Sequence, residues 1–389
     1  MKEAMKKERI RAVRRYLAGE KPEAICASVN RSRSWLYKWV ERYDDSNECW
    51  CENQPTVPGV ANNRTLKEIE EIVKLVRLNL YNQGLFCGAQ AILWELEDLG
   101  VKPLPSLRTI NRILSRNNLT HRRTGKYEPK GTPYPKLPAL RPNQTHQMDL
   151  VGPCYLTGPL RFYGINVIDA ATARCGLHAT LSKAGQNVLD GMWAIWSRLG
   201  IPDNLQVDNA MSFFGSPTHP RGMGPLIRLC LHQGVEPWFI PMSEPWRNGI
   251  IEQFNDHYQQ KFLDKVIMTT VDELQSGTLA FEQRHNSQYR YSKLGGKTPL
   301  KALAEAQMTL RFPNQVEPPR NRLKKPEIGR YHLVRLIRSD LKLNVFGEVF
   351  QAPPETMYEY VVATIDVKEQ KLKLFLGGTQ IEEFNYQLR

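Results

Sequence analysis

Three acidic residues stand where a carboxylate can do chemistry. Asp149 falls inside the alternating run THQMDLV (145–151), Asp208 closes the short run DNLQV, and Glu252 lies near the start of the helical stretch EPWRNGIIEQFNDHYQQKFL. Taken alone, Asp208-Asn209 followed by Phe213 and Phe214 reads as a turn, because Asp and Asn side chains bond their own backbone two residues on. The reading changes if all three carboxylates meet. Like charges within a few ångströms repel, and burial sharpens the repulsion. Divalent cations resolve it, and oxygen-only ligands select hard ions such as Mg2+ or Mn2+ over zinc. Two such ions roughly 4 Å apart can activate a nucleophile and stabilise a leaving oxygen in phosphodiester chemistry.

A sheet can bring these positions together. The runs THQMDLV, RFYGINVIDA (161–170) and ARCGLHATL (173–181) are β-prone and joined by turn residues, a meander of three strands. The helix NVLDGMWAIWSRLG, the strand ending at Asp208, the helix GPLIRLCLHQ, the strand EPWFIP and the Glu252 helix follow. The order βββαβαβα predicts a mixed α/β sheet with helices on its faces over residues 143–310. If its first and fourth strands are neighbours, Asp149 and Asp208 lie side by side and the Glu252 helix packs across them.

The chain before this core is helical. Residues 8–43 read as three short helices, the first with Ile10, Val13 and Leu17 inward and the third with Leu36, Trp39, Val40 and Tyr43 inward. Arg31, Arg33, Ser34, Tyr37 and Lys38 lie off that apolar face, the layout of a helix-turn-helix DNA reader over 1–45. A small bundle with a solvated face has the same pattern. Residues 44–63 are rich in turn formers and read as a linker. A second helical unit spans 64–120. Ile69, Ile72, Val73 and Val76 form its first stripe. Its last helix has Ser106 as N-cap, Leu107, Ile110, Ile113 and Leu114 inward, and Arg108, Arg112 and Arg116 outward. This predicts a second helix-turn-helix, with or without a wing. Residues 121–142 form a basic, proline-rich spacer whose Arg122 and Arg123 can track phosphates. Beyond a basic connector (317–330), the runs YHLVRLI, LKLNVFGEVFQ, YEYVVATIDV and KLKLFLGG predict a small β-barrel over 330–389. It serves either to contact DNA or only to stabilise.

The net charge of +13 is concentrated in the two ends, while 141–310 is nearly neutral. Basic flanks suit a polyanion bound in a salt-sensitive way, although generic solubility charge looks the same. The seven cysteines include no CxxC pair and only Cys49-Trp-Cys51 is close, which argues against zinc and for reduced cytosolic thiols. No apolar run is long enough to span a bilayer, and MKEAMKKERIRAVRRY lacks the apolar stretch of a signal peptide. The expectation is a cytoplasmic protein with no membrane partner. No nucleophile elbow supports a Ser-His-Asp reading.

HQMDLVGP, VDNAMSFFG and PWRNGIIEQFN resemble the three signature segments of integrase-type transposases. These form the Asp-Asp-Glu superfamily with a ribonuclease-H-like core, which includes retroviral integrases and many bacterial insertion-sequence transposases. The resemblance implies Asp149, Asp208 and Glu252 as the catalytic, metal-binding triad, with two Mg2+ (or Mn2+) ions. It implies recognition of a mobile element's terminal repeats by the N-terminal units, and DNA cleavage followed by transesterification into target DNA. It also implies at least a dimer on DNA. Three features depart from the pattern. Ala210 stands where glycine is usual, and the Asp208–Glu252 spacing is long, with the excess assigned to the surface loop GSPTHPRGMG. The segment HNSQYRYSKLGGKTP (285–299) matches at Asn286, Leu294, Gly295, Gly296, Thr298 and Pro299, but Tyr289, Arg290 and Tyr291 replace an Arg-Pro-His run.

Lesser expectations follow for the neighbours. Asp169 serves a turn, Asp256 is solvated, Asn209 orients Asp208, and His146 is a strand residue. Trp246, Arg247 and Asn248 form a flexible loop that contacts DNA. Two rivals remain beside the transposase: a DNA-binding regulator with a silent core, and a metal-dependent nuclease without strand transfer.

Overall fold

The computed structural model describes residues 2–53, 65–120, 133–155, 161–215, 221–315, 317–320 and 323–389. Residues 1–67 and 68–389 form two separate units.

In the first unit, α1 (Lys2–Leu17), α2 (Pro22–Val29) and α3 (Arg33–Glu41) enclose Ala12, Ile25, Cys26 and Leu36. Ser32 caps α3 by accepting from the Trp35 N–H at 3.2 Å, satisfying one of the helix's orphan donors. The inward stripe of α1 is rotated from the expected one: Ala12 and Val13 are buried, whereas Leu17 is 53% exposed. Packing also runs past residue 45. Arg9 donates from Nη1 to the Cys51 carbonyl (2.7 Å) and from Nη2 to Asn53 Oδ1 (2.8 Å), with its guanidinium 4.0 Å over the Trp39 ring. The start of the expected linker is therefore part of this unit; residues 54–64 lie outside the described residues.

The second unit opens with α4 (Lys67–Asn82), α5 (Ala89–Asp98) and α6 (Leu107–Arg116). Val73, Leu80, Ile92, Leu96, Ile110 and Ile113 pack together, and Ser106 caps α6 by accepting from Thr109 N–H at 3.2 Å. Leu107 is 39% exposed rather than inward. No strand, and so no wing, occurs among the described residues of 65–120.

The core follows as β1 (Thr145–Tyr155), β2 (Arg161–Asp169), β3 (Cys175–Thr180), α7 (Gly185–Leu199), β4 (Asn204–Val207), α8 (Met211–Phe214), α9 (Pro225–His232), β5 (Glu236–Phe239) and α10 (Gly249–Lys261). β1, β2 and β3 pair antiparallel, while β4 and β5 join β1 in parallel. Helices α7 and α9 cover one face through Met192, Trp196 and Leu229. Helix α7 seats closely at Gly191, where a Cβ would lie 2.4 Å from Ile165 Cδ1 and force that side chain to shift. The other face carries α10 and α11 (Val271–Gln288), packed through Phe254, Tyr258 and Phe281. Helix α11 also closes the edge strand. Asn286, Glu282 and Gln275 accept from the N–H groups of Cys175 (2.8 Å), Leu177 (2.7 Å) and Ala179 (3.0 Å). The alternate donors of β3 are thus withheld from any further strand.

After α12 (Pro299–Glu305) come β6 (Arg330–Leu336), β7 (Lys342–Val345), β8 (Glu348–Gln351), β9 (Tyr360–Asp366), β10 (Lys371–Leu376) and β11 (Thr379–Asn385). The expected separate small barrel is corrected here. β6 pairs in parallel with β5 (Trp238↔His332, Phe239↔Leu333), and the sheet runs β11-β10-β9-β6-β5-β4-β1-β2-β3, with β7 and β8 as a separate hairpin. The physical reason is the open edge of β5. Residues 240–329 provide the long crossover that a parallel neighbour needs, and Tyr331, Leu333 and Val361 enter the same apolar core as Leu205 and Phe239.

Candidate active site

The parallel register of β1 and β4 runs Thr145↔Asn204, His146↔Leu205, Gln147↔Gln206. Two residues further along each chain come Asp149, within β1, and Asp208, one residue past the end of β4. Asp149 Oδ1 accepts from the Leu150 N–H (2.8 Å), and Oδ2 accepts from Asn255 Nδ2 (2.7 Å). Asn255 in turn accepts from Asn166 Nδ2 at 2.8 Å, and Asn166 is the β2 residue opposite Asp149. Asp208 Oδ1 accepts from the Ala210 N–H at 3.0 Å, so this residue makes a turn as well as facing the site. Ala210 has φ −66°, an ordinary value for which glycine is not required.

Glu252 occupies the first turn of α10, and the start of that helix is tied to the strands just before the two aspartates. Gln147 Oε1 accepts from the N–H groups of Ile250 and Ile251 at 3.1 Å each, Asn248 Nδ2 donates to the Met148 carbonyl (2.9 Å), and Gln206 Nε2 donates to Asn248 Oδ1 (3.2 Å). The helix's orphan N–H groups, which usually find capping side chains on their own segment, are served from β1. Asn255, Gln147, Asn248 and Gln206 were not singled out from sequence as support for the site. The available signal was spacing: Asn255 is three residues from Glu252 on one helical face, and Gln147 two from Asp149 on one strand face.

Each of the three carboxyls titrates above its ordinary value. Burial raises Asp149, and the charge of Asp208 adds to it; burial raises Asp208. Glu252 is raised by burial, then by Asp149 and by Asp256. The coupling is pairwise through Asp149. Among the described residues, no three Asp, Glu, His or Cys side chains converge on one point as a ready-made metal site. The donor chemistry nevertheless fits hard divalent ions. All donors are carboxylate oxygens, and each pair around Asp149 offers two anionic ligands, as suits an ion such as Mg2+ that keeps several waters.

The structure separates the other candidates. Glu244 accepts from Tyr360 OH (2.8 Å) and Arg247 Nε (2.9 Å), so it is engaged with β9. Arg247 also donates to Tyr360 OH (2.8 Å) and lies 4.3 Å over the Tyr134 ring. The expected DNA-contacting loop is thus a 3-10 turn (Pro245–Asn248) in which Asn248 is buried, Arg247 is part-exposed with internal partners, and Trp246 is 56% exposed. Asn209 does not bond Asp208; it donates to the Ile240 carbonyl (2.6 Å) and accepts from Arg335 Nη2 (2.9 Å). Asp169 is buried and accepts from Ala171 and Thr172 N–H groups (3.2 Å each), a turn residue. Asp256 is exposed. His146 is buried against Asn143 Oδ1 (3.1 Å), and burial pulls it down to about 4, leaving it neutral.

Of the basic candidates, Arg31 pairs with Glu8 at 3.0 Å and Arg33 with Glu23. Both pairs are exposed, and such pairs hold weakly. Ser34, Tyr37 and Lys38 are exposed on α3, as are Arg108 and Arg112 on α6. Arg116 is exposed as well, and it grips the buried Glu70 with Nε to Oε1 (2.8 Å) and Nη2 to Oε2 (2.5 Å). Arg122 and Arg123 lie outside the described residues.

The run Tyr289-Arg290-Tyr291 has a clear place. Tyr289 OH donates to the Gly84 carbonyl (2.8 Å), Arg290 Nη1 donates to Asp98 (2.7 Å), and the Phe86 ring sits within 5.5 Å of Tyr289, Tyr291 and His257. Together they dock the α4–α6 unit onto the core beside α10.

Residues 6–49 match the homeodomain-like domain family, and residues 233–299 match the integrase core domain family. The second match contains Glu252 and the 285–299 segment, and begins after Asp149 and Asp208. Among solved structures, the chain is similar to the HTLV-2 integrase catalytic core domain in complex with magnesium in its trimeric form. There the identity is 15%, the TM-score 0.34, and 42% of this chain and 99% of that chain are covered. It is similar also to a chain of the simian T-cell lymphotropic virus intasome in complex with the PP2A regulatory subunit B56 gamma, at 12% identity and TM-score 0.37, over 75% of this chain and 88% of that one. At these TM-scores the likenesses add no weight to the fold described above. The two matches place a homeodomain-like segment ahead of an integrase-core segment in the chain. Among the described residues, no helix is long and apolar enough to cross a membrane.

Proposed function

We propose that this protein is a transposase that binds the ends of a mobile DNA element, frees a 3′-OH by hydrolysis, and joins that hydroxyl to target DNA by direct transesterification. The observation that carries the reading is the position of Asp149, on the strand paired in parallel with the one that runs into Asp208, and bonded to the helix that bears Glu252. Asp149, Asp208 and Glu252 would hold two divalent ions, Mg2+ or Mn2+, with Asp149 shared. Bound there, the ions supply charge neutralisation and activation of the attacking oxygen. Asn255 fixes the Asp149 carboxylate, and Gln147 and Asn248 hold the start of α10, so the ligands are oriented before DNA arrives.

Recognition falls to α3, with Arg31, Arg33, Ser34, Tyr37 and Lys38 toward the groove. Arg108 and Arg112, with Arg122 and Arg123 of the spacer, would neutralise phosphates. Cutting two ends together requires at least two protomers. The test incubates the full chain with Mg2+, candidate element ends and supercoiled plasmid. Joined products support the reading. Cleavage without joining would leave a nuclease, and DNA binding without cleavage would leave a regulator.

A further inference from the structure

The C-terminal strands reach the candidate site through one buried cation. Arg335 on β6 is only 6% exposed, and among the described residues it faces no carboxylate at ion-pair distance. Its donors all go to neutral oxygens. Nε donates to the Asn344 carbonyl (3.0 Å), Nη1 to the carbonyls of Ile240 (3.1 Å) and Val334 (2.8 Å), and Nη2 to Asn209 Oδ1 (2.9 Å). Asn209 closes a ring by donating Nδ2 to the same Ile240 carbonyl. Its amide orientation is thereby set by both ends.

A buried charge without a counter-charge is a poor device for stability alone; an apolar side chain of similar volume commonly does as well or better. Burial draws the guanidinium down to about 10, so it remains charged at neutral pH. The residue it grips is the immediate neighbour of Asp208. A second contact, from the turn of the β7–β8 hairpin, acts on the same segment: Phe214 stacks on Phe346 with centroids 4.7 Å apart and planes at 14°. Segment 208–214 is therefore held between β4 and the C-terminal strands.

We propose that Arg335 is a positioning residue for Asp208, locking Asn209 so that the 208–210 turn presents the carboxylate to the divalent ion it shares with Asp149. This rests on the reading of Asp208 as a metal ligand. It makes the C-terminal strands part of the active site's frame rather than a detachable module.

The experiment uses the full chain and measures Mn2+ binding without DNA, by the loss of the free-ion electron paramagnetic resonance signal, alongside thermal melting. Asn209→Ser and Arg335→Met should each bind Mn2+ on the order of 10-fold more weakly, the scale at which supporting partners of metal ligands act. Arg335→Lys should fall between, because an ammonium keeps the charge but cannot span the same acceptors. Single-turnover cleavage should fall in parallel and recover at saturating Mn2+, which a loss of folded protein would not produce. Should Arg335→Met fail to fold, Asn209→Ser, at a half-buried position, decides alone. Wild-type Mn2+ affinity in Asn209→Ser overturns the role of Arg335. Asp208→Asn separates the two levels. If it binds Mn2+ like wild type, the metal site itself is misassigned; if it does not bind and Asn209→Ser is unchanged, only Arg335 is.

Discussion

Asn255 and Asp149 share a hydrogen bond of 2.7 Å that joins the helix carrying Glu252 to the strand carrying the first carboxylate. Asn255 lies three residues after Glu252, so the two project from one face of α10. A shift of that helix would move the third carboxylate and the amide that steadies the first in a single step. Its start is bonded to Gln147 and to the Met148 carbonyl, which leaves little freedom for such a shift.

The first prediction compares three acidic residues around that helix. Glu252→Gln should abolish cleavage and strand transfer while leaving folding and DNA binding near wild type. Asp256→Asn, at an exposed position, should stay close to wild type in all of these. Glu244→Gln should lower the melting temperature instead, because Tyr360 and Arg247 lose a charged acceptor. Strand-transfer yield beside melting curves distinguishes the three. Robust joining by Glu252→Gln would remove it from the site.

The raised carboxyls predict a pH dependence of stability without metal. At Asp149, Asp208 and Glu252 the folded chain holds protons more tightly than the unfolded chain. Their contribution therefore becomes unfavourable as pH rises from about 4 through the raised values, and stays so above them. In chelator at neutral pH, Asp208→Asn should melt at a higher temperature than wild type, and added Mn2+ should no longer stabilise it. A lower melting temperature for Asp208→Asn in chelator would contradict the assignment of Asp208 as a charge held at a cost.

Arg112 and Arg116 lie one helical turn apart and should behave differently. Arg112→Ala should weaken DNA binding and flatten its salt dependence with little change in melting. Arg116→Ala leaves the buried Glu70 without its bidentate partner and should cost about 1–3 kcal/mol of stability. Salt-titrated binding and denaturant unfolding, measured on both variants, separate a phosphate contact from an internal tie.

In the first unit, Trp39→Ala should destabilise by about 3–5 kcal/mol, as removal of a large buried aromatic does; its ring also seats Arg9. Lys38→Ala, one residue away but exposed, should melt like wild type and bind element ends less tightly. Equal loss of stability in both would mean that the two faces of α3 are wrongly assigned.

Local pattern determined much of this protein. The alternation in 145–151 and 161–181, the 3.6-residue stripe ending at Leu114, and the cap at Ser106 are consequences of neighbouring residues, and each lies open in a linear reading. So does the proximity of Asp149 and Asp208 once β1 and β4 are taken as neighbours. What the sequence could not decide was which surfaces meet across long separations. Alternation in 330–389 specifies strands but not their partner, and the open edge of β5 captured β6 where a separate barrel was expected. Arg116 and Arg247 look like outward basic residues in a linear pattern, and only the fold shows that they also bond Glu70 and Tyr360. Tyr289 and Arg290 looked like departures from a motif until the packing of α4–α6 supplied Gly84 and Asp98 as their partners. The physical reason is the same in every case. A side chain's spacing sets the face it occupies, whereas its partner depends on which distant segment the folded chain brings within hydrogen-bond reach.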